Sequence, residues 1–168
     1  MRKLRPNTRT TFRFIAPDDA AIPDGEGAAD YQGYLETMDE GKLNLRTDGE
    51  APTFYWLRPM PMDIFRRAQD CLSGDDTDEA RSDRLQSDEM FLVVRDALDR
   101  CLVGCDNHPI VTAILPDGSF ESETVRWGVG DKRPHDALEA ILDDRGLAMN
   151  MFVALLRAAN LTETEKKP

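Results

Sequence analysis

Apolar residues along this chain fall into short runs whose period changes from two to between three and four, and the changes divide it into elements. Thr10 to Ala16 alternates, with Phe12 and Phe14 on one side and Arg13 on the other, the pattern of a short half-buried strand. Pro17 to Ala29 is rich in Pro, Gly, Asp and Ala and reads as a loop. Tyr31 to Leu45 is ambiguous between a helical turn and a strand, with turn signals at Asp39-Glu40-Gly41 and Asp48-Gly49. Phe54 to Arg58 is aromatic and β-prone. Pro59 and Pro61 stop it, and it can pair with the first strand.

Helical spacing begins at Met62. Met62, Phe65, Ala68 and Leu72 fall three or four apart, and Pro61 suits a first turn. Ser73 to Ser87 reads as a polar, acidic loop or a short helical turn around Glu79 to Leu85. Ser87 then has the chemistry of an N-cap, and Asp88 and Glu89 suit the positive end of a helix dipole. From there Phe91, Val94, Leu98, Cys101, Leu102 and Cys105 form one apolar stripe, which predicts a helix ending near Gly104 or Asn107.

Ile110 to Leu115 and Phe120 to Trp127 flank Pro116-Asp117-Gly118, so a β-hairpin is predicted, with Val125 and Trp127 on one face. Pro134 opens a further helix through Ala137, Leu138, Ile141 and Leu142, and Gly146 interrupts it. Leu147 to Ala159 is apolar around so much of its circumference that burial against more than one surface is expected. The resulting fold class is α+β, with about four helices and small antiparallel β-hairpin elements. Residues 1–168 read as a single domain with a basic N-terminal arm (1–9) and a polar C-terminal tail (161–168).

Charge narrows the partners. The formal net charge is −11, and duplex DNA and anionic membranes are polyanions that reward Lys and Arg, so neither is expected as the main partner. The arm runs against this balance: Arg2, Lys3, Arg5 and Arg9, with Arg13 beyond it, include no acid before Asp18. It is either a solvated lead into the first strand or a docking arm for an acidic neighbour. No apolar run is long enough for a signal peptide or a membrane helix, which predicts a soluble protein made in the cytoplasm.

Candidate chemistry is sparse. Cys101, Cys105 and His108 have a superficial metal-binding look, but no second ligand pair follows. Cysteines on an apolar stripe are better read as small core residues in a reducing compartment. A nucleophilic thiol needs a site that favours the thiolate, whereas a helix C-terminus raises a thiol's pKa. Acidic pairs such as Asp75-Asp76 and Asp143-Asp144 sit in polar contexts and read as solvated surface. Gly128-Val129-Gly130 lacks the spacing of a phosphate-binding loop. No catalytic residue, metal site or cofactor site is predicted. Phe54, Tyr55 and Trp56 are different: three adjacent aromatics on a strand cannot all face one core, so at least one points outward or into a partner. The candidate partner-binding residues are therefore Arg2, Lys3, Arg5, Arg9, Phe54, Tyr55 and Trp56.

Leu57-Arg58-Pro59-Met60 leads into a helix, Arg100-Cys101-Leu102-Val103-Gly104 ends a second, a short β stretch follows, and a last helix runs into Leu161-Thr162-Glu163-Thr164-Glu165-Lys166-Lys167. Together these segments resemble a loose group of small tailed-bacteriophage proteins, the tail-assembly chaperones and related minor virion proteins. Cys105 stands where that group suggests an aromatic, and the segment before Phe54 has no counterpart. The resemblance implies a non-enzymatic structural or assembly protein. It would bind other phage proteins in the host cytoplasm or virion, at the tail or head–tail region, and homo-oligomers are compatible with that role. Two other classes fit the residues: a bacterial α+β interaction or regulatory module, and a small enzyme using Cys101 or Cys105 with His108.

Overall fold

The computed structural model describes residues 11–23, 30–74 and 77–164. Arg2, Lys3, Arg5 and Arg9 lie outside these residues. The architecture is α+β, built on a four-stranded antiparallel sheet in the order β1-β2-β3-β4. The strands are β1 (Phe12–Phe14), β2 (Phe54–Leu57), β3 (Leu102–Ile114) and β4 (Phe120–Trp127). Six α-helices are present among the described residues, more than the four expected: α1 (Tyr31–Thr37), α2 (Met62–Leu72), α3 (Asp78–Leu85), α4 (Asp88–Cys101), α5 (Ala137–Asp143) and α6 (Arg145–Thr164).

The extra helices have local causes. Tyr31 to Leu45 becomes α1 and a 3-10 turn over Glu40–Leu43, because Asp30 and Asp39 cap them by accepting from Gly33 N–H and Gly41 N–H, both at 3.0 Å. The segment around Glu79 to Leu85 is a full helix, α3, capped by Thr77, whose hydroxyl accepts from Ala80 N–H at 3.2 Å. The break between α5 and α6 falls at Asp144 rather than Gly146, which lies inside α6. Asp144 caps that helix by accepting from Leu147 N–H at 3.0 Å. The helix expected from Pro134 begins at Ala137, after Asp136 turns the chain with a left-handed φ of 64°. Leu161 to Thr164, expected as tail, are the last turn of α6.

The largest correction falls at Cys101. The apolar stripe predicts helix through Cys105, but α4 stops at Cys101 and β3 begins at Leu102 with no loop between them. Leu102 and Cys105 stay buried through the change of element, so a purely apolar signal could not separate the two. Gly104 is needed there for a packing reason. A Cβ at that position would sit 2.9 Å from Trp56 Cδ1 on the neighbouring strand.

Helices cover one face of the sheet. Phe12, Phe14, Tyr55, Leu57, Leu102, Cys105 and Trp127 join Phe65, Val94, Leu98, Ile141, Met151, Phe152 and Leu155 in one buried cluster. Burying side chains of this kind contributes roughly 1.5–3 kcal/mol each. Charged pairs tie the helices at the rim: Arg67–Asp96 joins α2 to α4 and Arg100–Asp63 returns from α4 to α2, both at 2.7 Å. A smaller cluster of Ile15, Tyr34 and Leu43 closes the β1 edge.

Candidate functional site

Strand geometry sorts the three aromatics of β2. Alternation sends Tyr55 into the core, 3% exposed, and leaves Phe54 and Trp56 half-buried on the opposite face. Arg13, paired with Trp56 across β1 and β2, lies over both rings, its guanidinium carbon 4.1 Å from the Phe54 centroid and 5.4 Å from that of Trp56. Glu40 from the 3-10 turn accepts from Arg13 Nε at 2.6 Å and also from Nη2. Tyr55 therefore presents no side-chain surface to a partner, and Phe54 and Trp56 are roofed by an ion pair.

Tyr55 is part of a polar set inside the core. Its hydroxyl lies 2.7 Å from Nδ1 of His108, which is 7% exposed, and the two rings meet edge to face at 5.8 Å. Cys105 belongs to the same buried cluster. A thiol, an imidazole and a phenol are thus buried together in the core. Their electrostatics oppose nucleophilic chemistry. Burial pushes the Cys105 thiol up to about 12 and the Cys101 thiol up to about 11, so neither forms a thiolate near neutral pH. Burial also lowers the His108 pKa, partly opposed by the charge of Asp144, and keeps the imidazole neutral. Cys105 lies on a strand, so the C-terminal dipole of α4 is not what raises it. Among the described residues no group of His, Cys, Asp and Glu side chains could hold a metal ion, and no helix is long and apolar enough to cross a membrane.

One concavity, of about 480 Å³, is an open groove lined by Asp70, Cys71, Ser73, Asp83, Arg84 and Glu89 among others. Desolvation raises the pKa of the Cys71 thiol there, and the acids Glu89 and Asp70 add to it. That is the wrong direction for a reactive cysteine.

The surface the sequence reading did not single out is the hairpin of β3 and β4. Past the pair Phe54–Asp106 the sheet narrows from four strands to two, and β3 and β4 continue together as far as the pair Ile114–Phe120. Two bulges, between Cys105 and His108 and between Val111 and Ala113, adjust its register. The face continuous with the core carries His108 and Val125, then Ile110 beside Glu123 and Ala113 beside Glu121. The opposite face carries Val111, Ile114 and Phe120, which are 57%, 72% and 64% exposed. Ile114 and Phe120 are direct cross-strand partners, so their apolar surfaces form a continuous tip. The signal was present in the sequence. Trp127 and Val125 fix the inward parity of β4, and Phe120 has the outward parity.

Comparison with known proteins finds no matching family model, no matching curated protein and no matching solved structure.

Proposed function

We propose that this chain is a non-enzymatic structural or assembly protein of a tailed bacteriophage, working through protein–protein contacts in the tail or head–tail region. The observation that carries the contact role is the β3–β4 hairpin. It extends past the rest of the sheet with Val111, Ile114 and Phe120 open to solvent. Exposed large apolar side chains that cluster on a rigid ribbon gain free energy by docking, and such clusters mark interaction sites. The thiols of Cys101 and Cys105 and the imidazole of His108 are buried and held neutral, and none of them lines the groove beside Cys71, which supports a role without catalysis.

The virion context rests on the resemblance carried by Leu57-Arg58-Pro59-Met60, Arg100-Cys101-Leu102-Val103-Gly104 and the C-terminal Leu161 to Lys167. On this reading the protein acts in the host cytoplasm during assembly. Co-expression with individual head and tail proteins of a tailed phage tests it: at least one should co-purify with the wild-type chain. The same partner should be lost with Phe120→Asp while far-ultraviolet circular dichroism is unchanged. Capture of no virion protein sinks the proposal.

A further inference from the structure

The free edges of the hairpin differ. Beyond Asn107, β3 has lost its β2 neighbour, but its open side is blunted by Pro109, which has no N–H, and by the bulge between Val111 and Ala113. β4 is the outermost strand of the sheet over all eight of its residues, Phe120–Trp127, and contains no proline, lysine or bulged residue of its own. Its backbone groups on that side are a template for one more strand.

Charge selects what can add there. Glu121 and Glu123 are exposed on β4 and make no ion pair among the described residues. Two copies of β4 paired antiparallel about Ser122 or Glu123 would set these carboxylates against one another, so the strand disfavours its own kind. A cationic segment suits it, and the sequence has one. Residues 1–10, MRKLRPNTRT, carry Arg2, Lys3, Arg5 and Arg9 and no acid.

Length decides between the same copy and another. The segment leads into β1, which lies at the sheet edge opposite β4, three strand spacings or roughly 14 Å away. Ten residues reach at most about 33 Å, so a crossing within one copy leaves about 19 Å. The eight residues of β4 span about 27 Å. In a second copy the whole reach is available.

The geometry points to head-to-tail self-association, in which residues 1–10 of one copy lie along the free edge of β4 in the next, with Arg and Lys meeting Glu121 and Glu123. This rests on the hairpin being a contact surface, as proposed above, and makes the first partner another copy of this chain. Donor and acceptor are different surfaces, so the contact is heterologous and can repeat along a chain of copies.

Sedimentation velocity on the full-length protein tests this. The wild type should show a mean mass that rises with concentration. An arm-reversed variant (R2E, K3E, R5E, R9E) and an edge-reversed variant (E121K, E123K) should each remain monomeric with unchanged circular dichroism. Mixed together, each variant's arm meets an edge of opposite charge on the other, so the two should co-assemble into alternating chains. A variant with both reversals should regain association. A wild type that stays monomeric at every concentration overturns the inference, as does a mixture that fails to pair. Should the wild type be monomeric while Phe120→Asp still abolishes capture of a virion protein, the inference falls and the proposed function stands. Self-association without capture of any virion protein gives the reverse.

Discussion

The guanidinium of Arg13 lies 4.1 Å from the ring centroid of Phe54, two strand positions that share the face of the sheet opposite Tyr55. Glu40 fixes the guanidinium in the plane where it covers the ring. An exposed cation–π contact contributes about 0.5–1 kcal/mol, and a partly exposed ion pair adds up to about 1 kcal/mol. Arg13→Met should therefore lower unfolding free energy by about 1–2 kcal/mol in urea titration. Arg13→Lys should recover less than half of that, because lysine lacks the planar fork. Equal stability of all three proteins would show that the roof contributes nothing.

His108 should give the fold a pH dependence. Its folded pKa is lowered by burial, so the unfolded chain binds more protons as pH falls through the ordinary histidine value near 6.5. The sign is then fixed: this contribution is intact above that value and declines as pH drops toward the lowered folded pKa. The slope for one proton reaches about 1.4 kcal/mol per pH unit. Urea unfolding of wild type and His108→Asn from about pH 7.5 to about pH 5 should show the extra slope in the wild type alone. Parallel curves would remove His108 as its source.

Tyr55→Phe tests the same buried pair from the other side. It deletes the hydroxyl 2.7 Å from His108 Nδ1 and leaves a buried ring nitrogen without its partner, at a cost of about 1–3 kcal/mol. Ring packing is retained in the variant, so a loss in this range reports the hydrogen bond.

The thiols should separate by reactivity. Cys101 and Cys105 are buried with raised pKa values, whereas Cys71 is half-buried beside an open groove. A maleimide added to the native protein should label Cys71 first, and the other two should react at the rate of global unfolding. Rapid native labelling of Cys105 would contradict its place in the core.

Core and hairpin substitutions should have opposite signatures. Leu98→Ala empties a fully buried site beneath the sheet and should cost about 2–5 kcal/mol. Phe120→Ala, at the open tip, should change stability by no more than about 0.5 kcal/mol and weaken capture of the partner. Thermal melts and pull-downs on the two variants read both quantities.

Much of the fold was legible because its signals are local. Alternation around Arg13, the Pro116-Asp117-Gly118 turn and the Ser87 cap each specify an element within a few residues, and all three are present. The Cys101–Leu102 junction was not legible. Buried positions continue across it, and the switch from helical to extended backbone is set by pairing with Leu57 and Gly104's contact with Trp56, both distant in sequence. The same long-range pairing took Tyr55 out of the candidate surface by joining it to His108. The hairpin tip was readable from parity along β4, but its exposure depends on where β2 ends, which periodicity within β3 and β4 does not contain.

The absence of a loop between α4 and β3 has a mechanical consequence. A load applied at Ile114 or Phe120 passes along one continuous backbone into α4, with no slack segment to absorb it. Between the tip and the helix the β3–β4 ladder is interrupted at two bulges, Cys105–His108 and Val111–Ala113. Whatever grips the tip therefore pulls directly on the helix that carries Leu98.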